Sequence, residues 1–389
     1  MKHSVEEVSK KYGNFPRTIL MISPSFSPIS GGLETHLNDL CEYLRKRNYR
    51  IYIITYSFLE KRAKTISGRN PKVYRIPWFS YNLLLKLEPY PPLYFVYLVP
   101  MLLLASLLFM LKHKHEVDVI HAHGLAAAVV ARSLMKVFNK KAVVSLHTIY
   151  GLRKRPILSK IATRILSPFD TVLTLSMRSG KELVNAGLNN VKVFTYWVNQ
   201  KSFAPLNKAL CKRKLGLEGK FVILFVGRLI EVKGVKILLR IARELRDYND
   251  IHFAYVGTGP LSKEVIKVSK NLGNITYFGE VKNENLSVYY NAANLLVVPS
   301  LHEEGFGRVV LEALSCGTPV IASNVGGLSE ALDPSVGILI DPRVDAIKDA
   351  ILKLYNDRGK LEVLSKNCKE YAERRFSERN AKLIEESYL

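Results

Sequence analysis

Cysteine is scarce. Four occur (Cys41, Cys211, Cys316 and Cys368), far apart and never in CxxC spacing. That pattern disfavours a zinc site or a disulfide framework and suits a reducing compartment. Asp-x-Asp is missing altogether, so a metal held by such a carboxylate pair has no obvious ligands. Acidic residues are also few, 34 against 57 Lys and Arg, which leaves a formal charge of +23. An excess of that size points to an anionic partner: nucleic acid, an anionic membrane surface or a phosphorylated substrate. The cations are spread along the chain, and no zinc-finger, RRM or basic-zipper spacing occurs. No nucleic acid is therefore expected. The N-terminal stretch "MKHSVEEVSKKYGNFPR" is polar and lacks the apolar centre of a signal peptide.

What is present is a globular composition, 48% hydrophobic and 23% charged, on a chain of 389 residues, a length that suits two domains. One hydrophobic run stands out. From Tyr90 to Leu111 no residue is charged, close to the roughly 20 residues that span a bilayer. Pro91, Pro92 and Pro100 interrupt it, and the strand-like "VDVIHAH" follows shortly after. Spanning would put neighbouring strands on opposite sides of a membrane and break their common sheet. A buried or interfacial helix is the expectation.

Apolar runs of strand length recur, with helical patterns between them. "RTILMIS" (17–23), "RIYIITY" (50–56), "KVYRIPW" (72–78), "VDVIHAHG", "KAVVSLH", "DTVLTLS" (170–176) and "VKVFTYW" (191–197) are predicted strands. Leu33, Leu37, Leu40 and Leu44 mark a helix after the first, and an Ala-rich helix covers 125–138. A polar, basic stretch at 199–219 breaks the rhythm, and a second series starts at "KFVILFVGRL". This predicts an α/β protein of two Rossmann-like, doubly wound lobes. Their expected limits are residues 1–200 and 201–370, with a terminal helix at 371–389 packing back toward the first lobe.

The distinctive residues sit where strands end, which is where open α/β sheets bind ligands. Gly31 and Gly32 follow the first strand's loop and open a helix. Amides there can approach a phosphate, or simply turn the chain. In "FVGRLIEVKG", Arg228 lies beyond a strand and Lys233 just before a helix. Two such cations suit a diphosphate leaving group in place of a metal ion; a solvated basic loop is the plainer reading. In "EEGFGRVVLEALSCGTPVIAS" (303–323), Gly305, Phe306 and Gly307 form a tight loop ahead of a helix. Glu304 lies in that loop. Glu312 lies on the helix among Val309, Val310, Leu311, Ala313 and Leu314, too apolar a setting for a carboxylate without a partner. Ionised carboxylates match the vicinal diols of a hexose or ribose. The plainer alternatives are helix-start charge complementarity for Glu304 and a surface position for Glu312. His121 and His123 end one strand and His147 the next.

Taken in order, "GGLETHLNDLCEYLRKR", "DVIHAHG", "FVGRLIEVKG", "VGTGP" and "EGFGRVVLEALSCGTPVIASNVGG" resemble the family-4 retaining glycosyltransferases of GT-B fold. The branch resembled is that of the phosphatidylinositol mannosyl- and N-acetylglucosaminyltransferases. The resemblance implies two Rossmann-like domains facing each other across a cleft. It puts Glu304 on the donor sugar, Glu312 on the nucleotide ribose, Arg228 and Lys233 on the diphosphate, and Gly31 and Gly32 on a phosphate-contacting loop. Gly305, Phe306 and Gly307 join the donor site. His123 falls beside the reacting sugar, and His147 is an acceptor-side candidate. Two departures stand out. Where the family usually reads P-N-G-V-D, this chain has Thr195, Tyr196, Trp197, Val198 and Asn199, bulky residues that reshape the cleft or pack at the hinge. Arg308 replaces a common aliphatic and adds a cation near the donor, on phosphate or facing solvent.

The expectation is retaining, metal-independent transfer of a hexose from a UDP- or GDP-linked sugar to a hydroxyl of a lipid-linked or glycan acceptor. No cofactor beyond the nucleotide sugar is expected. The rivals are a nucleotide-sugar 2-epimerase or phosphorylase on the same fold and, in another class, a basic membrane-binding protein with a degenerate site. The expected location is cytoplasmic and peripheral to an anionic membrane surface. In "GLRKRPILSKIATRILS" (151–167), Ile157, Leu158, Ile161 and Ile165 fall on one helical face beside Arg153, Lys154, Arg155, Lys160 and Arg164. That is the pattern of an interfacial helix, or of an amphipathic helix packed on a sheet.

Overall fold

The structure, a computed structural model, describes residues 18–29, 31–58, 70–80, 83, 87 and 90–389. The polar N-terminal stretch read above lies outside the described residues. The chain divides into two units. The first runs to Phe194 and resumes at Asn380–Leu389; the second is Thr195–Arg379.

Unit 1 is built on seven parallel strands among the described residues: β1 (Thr18–Ile22), β2 (Arg50–Phe58), β3 (Lys72–Trp78), β4 (Val119–His123), β5 (Lys141–Leu146), β6 (Thr171–Thr174) and β7 (Val191–Val193). Their order is β3-β2-β1-β4-β5-β6-β7. The central strands β1 and β4 are buried at every position; β1 reads as an apolar run, whereas β4 carries the buried histidines His121 and His123. Helices α1 (Gly32–Arg45), α2 (Pro91–His113), α3 (Leu125–Phe138), α4 (Pro156–Leu166) and α5 (Met177–Asn185) connect them. The alanines of α3 explain its place: Ala126, Ala127, Ala128 and Ala131 are buried and let the helix lie close on the sheet. The prolines of α2 do not break it. Pro91 and Pro92 open the first turn, where their missing N–H groups cost nothing. Pro100 falls inside the helix and is exposed.

Unit 2 carries a parallel sheet of β8 (Phe221–Val226), β9 (Ile251–Val256), β10 (Ile275–Gly279), β11 (Leu295–Val298), β12 (Val320–Ser323) and β13 (Gly337–Ile340). The order is β10-β9-β8-β11-β12-β13. The helices used below are α6 (Val235–Glu244), α7 (Leu286–Ala292) and α8 (Arg308–Ser315). In both sheets the order reverses beside the unit's first strand, between β1 and β4 and between β8 and β11. Such switch points are where doubly wound sheets receive ligands. The predicted strand 191–197 is shorter than expected, because β7 stops at Val193. Tyr196, Trp197 and Val198 are instead buried in unit 2, and the Val198 N–H donates to the Phe376 carbonyl at 3.1 Å.

Candidate active site

At the end of β8, Arg228 is exposed, and a single 3-10 turn (Glu231–Lys233) leads into α6. Gly234, at φ 73°, lets this turn press on the segment after β11, since a Cβ there would overlap the Pro299 carbonyl. The close approach brings Lys233 to Glu304, with Nζ 2.8 Å from Oε1. Ser300 donates its hydroxyl to the same oxygen. Glu304 is 9% exposed. Burial alone would raise its carboxyl, but the charge and hydrogen bond of Lys233, with help from Ser300 and His302, outweigh burial and hold it below the usual value. The backbone around it is pinned as well. The Gly327 N–H donates to the Glu304 carbonyl at 2.7 Å, and a Cβ on Gly327 would overlap the Gly305 carbonyl. Phe306 is buried edge-on against Phe376, and Gly307, at φ 73°, starts α8.

Glu312 is 2% exposed, so it is no surface residue. Its Oε1 accepts from Arg308 Nε at 3.0 Å and from Asn283 Nδ2 at 3.5 Å, and its Oε2 accepts from the Tyr290 hydroxyl at 2.8 Å. Burial raises its carboxyl by more than these partners lower it. The two glutamates therefore titrate in opposite directions from similar starting points. Arg308 neither faces solvent nor stands apart. It is buried, and its Nη1 donates to the Trp197 carbonyl at 3.2 Å.

At the switch point of unit 1, His123 ends β4 with Nδ1 3.2 Å from His147 Nε2, the two rings stacked. His121 is saturated: Nδ1 lies 2.8 Å from the Tyr388 hydroxyl and Nε2 2.8 Å from Ser145 Oγ. Burial, reinforced by the neighbouring imidazoles, pushes His123 well below its ordinary value and His121 to about 3; burial alone takes His147 to about 3. All three rings are neutral near pH 7. His123 Nε2 is buried and meets no hydrogen-bond partner among the described residues. Gly31 and Gly32 open α1 as expected, but a buried acid backs them: Glu34, which accepts from Ser25, lies against Gly31.

Sequence reasoning missed several of these groups. Glu34 and His36 stand in "GGLETHL" on the buried side of α1, and His36 lies 5.5 Å, ring to ring, from both His147 and Phe194. Two polar residues on the inward side of an amphipathic helix were the available signal. Ser300, four residues before Glu304, and Tyr290 carried none, because a lone Ser or a helical Tyr is ordinary.

One surface of unit 1 is unusually apolar. Along α2, Leu98, Leu102, Phe109 and Met110 are buried, whereas Leu93, Val96 (71% exposed), Leu104, Leu108 (60%) and Leu111 face outward. By length and composition this helix suffices to cross a membrane. The single apolar face expected of α4 is split: Leu158 and Ile165 pack on the core, while Ile157 (76%) and Ile161 (49%) are exposed. Arg153, Arg155, Lys160 and Arg164 are exposed beside them. Both α2 and α4 pack on α3.

Comparison with known proteins agrees with this architecture. The model of Glycosyltransferase Family 4 matches residues 30–197, and that of Glycosyl transferases group 1 matches residues 207–375. A glycosyltransferase of Methanocaldococcus jannaschii is 27% identical over 381 residues, covering 92% of this chain and 94% of that protein. The phosphatidylinositol N-acetylglucosaminyltransferase subunit of Saccharomyces cerevisiae is 22% identical over 325 residues, 81% of this chain and 69% of its own. The crystal structure of Anabaena HepE in complex with UDP and glucose superposes with a TM-score of 0.77 at 22% identity, covering 95% of this chain and 99% of that one. Two parallel Rossmann-like sheets, each matched by a glycosyltransferase model of its own, make the chain a member of the GT-B glycosyltransferases, family 4 in its first unit and group 1 in its second.

Proposed function

We propose that the chain is a retaining, metal-independent glycosyltransferase that moves a hexose from a UDP- or GDP-linked sugar to a hydroxyl of a lipid-linked or glycan acceptor. The observation that carries the donor assignment is the Lys233–Glu304 pair. It sets an ionised carboxylate and a cation side by side at the switch point, with Arg228 at the end of β8. In the transfer, the bond from the anomeric carbon to the diphosphate oxygen breaks. A bond to the acceptor oxygen forms on the same face of the sugar. The acceptor's proton passes to the leaving diphosphate, so the products are a nucleoside diphosphate and a glycoside. Arg228 and Lys233 offset the charge growing on the diphosphate, the task a metal ion performs elsewhere. Glu304 accepts from sugar hydroxyls and Glu312 from the ribose. A neutral His123 has Nε2 available for a sugar hydroxyl. The UDP and glucose held by the Anabaena protein support the donor class, and the name of the yeast relative supports a phosphoinositide lipid as acceptor.

For the acceptor's location, the supporting observation is the apolar face of α2 together with Ile157, Ile161 and the exposed cations Arg153, Arg155, Lys160 and Arg164. This is the composition of a surface that rests on anionic lipid at the cytoplasmic side of a membrane. The test of the whole reading combines thermal shift with UDP, GDP and ADP sugars and product analysis with and without acceptor. One sugar nucleotide should raise the melting temperature, and the product should keep the donor's anomeric configuration. An inverted product, or epimer released without acceptor, would overturn it.

A further inference from the structure

The proposed function leaves one buried cation of the site without a task. We propose that Arg308 is a positioning residue for the nucleotide, aiming Glu312 while tying it to the backbone at Trp197. The inference rests on the reading of Glu312 as the ribose acceptor.

The geometry is that of a fork used in two directions. From the first turn of α8, the guanidinium gives Nε to Glu312 Oε1 at 3.0 Å, one helical turn on, and Nη1 to the Trp197 carbonyl at 3.2 Å. A lysine, with one ammonium on a flexible stem, does not reproduce that planar pair of donors. The aliphatic residue common in the resembled family makes neither bond.

Glu312 needs the partner. Facing it are Tyr290 from α7, Asn283 just before α7, Cys316 at the end of its own helix, and Arg308. Tyr290 is held well above its ordinary value and Cys316 is pushed up to about 12, both chiefly by burial, so both are neutral. Arg308 is the strongest of the groups that favour the charged form of this carboxylate. Without it, a desolvated acid would face neutral donors and its carboxyl would rise further. A carboxylic acid accepts hydroxyl hydrogen bonds more weakly than a carboxylate does.

The second branch ends on the segment 195–199, at the backbone carbonyl of Trp197. Trp197 and Tyr196 are buried, and the Val198 N–H donates to Phe376, whose ring meets Phe306 of the G-F-G loop edge-on. The segment that enters unit 2 is thus joined to the donor loop through Phe376 and to the ribose glutamate through Arg308.

Calorimetric titration with UDP and with GDP from pH 7 to 9, above the range where the terminal phosphate titrates (about 6), tests this. Wild type should bind with an affinity nearly independent of pH. Arg308→Leu should bind about tenfold more weakly at pH 7 and tighten as pH rises, because Glu312 regains its charge. Arg308→Lys should keep the flat profile with a Kd a few-fold higher, and Glu312→Gln should be weak at every pH. Circular dichroism establishes which variants fold. If Arg308→Leu does not, Arg308→Lys binding like wild type overturns the fork. A flat, wild-type profile in Arg308→Leu while Glu312→Gln is weak overturns the role of Arg308 alone. Wild-type affinity in Glu312→Gln overturns the ribose assignment beneath it.

Discussion

Replacing Lys233 by alanine isolates the central ion pair. At 2.8 Å and an effective dielectric of about 20, the gross attraction is about 6 kcal/mol. Most of it is offset by the cost of desolvating two charges, and removing one member of a buried pair typically costs ~3–5 kcal/mol. The Lys233 side chain keeps 22% of its exposure, so water carries part of the load and about 2–3 kcal/mol is the expected loss. In a folding unit of roughly 150–250 residues that lowers the melting temperature by about 5–10 °C. The deficit comes from a carboxylate left buried with Ser300 and His302, so it should depend on pH. In wild type the Glu304 carboxyl lies below its usual value, and its stabilising contribution is lost only as pH falls through that depressed value. In Lys233→Ala, burial lifts the carboxyl above its unfolded value, so the deficit is largest at neutral pH and shrinks toward pH 5. Adding Glu304→Gln removes the stranded charge and should recover most of the melting temperature at pH 7. Sugar transfer should stay ~10²–10³-fold down in both variants. Calorimetric melting at several pH values, alongside initial rates, measures all of this. Additive losses in the double variant, or a deficit that ignores pH, would refute the reasoning.

Transfer should persist in excess EDTA if, as proposed, Arg228 and Lys233 do the work of a metal; complete loss restored by Mg²⁺ or Mn²⁺ would show otherwise. Sedimentation with vesicles should show binding that needs anionic lipid and weakens with salt, since exposed charges are screened beyond ~10 Å at 0.1 M. Arg153→Glu, Arg155→Glu and Lys160→Glu together should weaken that binding by about a hundredfold without lowering the melting temperature; equal binding to neutral vesicles contradicts the charge argument.

The strands were legible because central parallel strands are buried on both faces and so rich in apolar residues, as β1 is throughout and β4 is apart from His121 and His123. The limits of β7 were not: "VKVFTYW" has one composition, but the chain passes to unit 2 at Thr195, where the Trp197 carbonyl and the Val198 N–H bond to Arg308 and Phe376 instead of a neighbouring strand. Glu304 and Glu312 could be singled out because a carboxylate among apolar neighbours is conspicuous. Their partners could not. Lys233 lies seventy-one positions from Glu304 in the sequence, and only the contact permitted by Gly234 joins them. Helical periodicity gave α4 an apolar face without saying which part of it a neighbour covers. Leu158 and Ile165 found the core, and Ile157 and Ile161 did not.

The return of Asn380–Leu389 to unit 1 bears on how the protein is made. The Tyr388 hydroxyl occupies His121 Nδ1, Tyr43 donates to Glu385 at 2.7 Å, and the short helix Ala381–Glu386 packs on α1. Unit 2 is continuous in sequence and can fold as soon as it leaves the ribosome, whereas unit 1, translated first, is not complete until residue 388 has emerged. Birth order and completion order are reversed. While unit 2 is being synthesised, unit 1 stands with the part of α1 around Tyr43 and the Nδ1 edge of His121 uncovered, and this nascent species is the one that chaperones would meet.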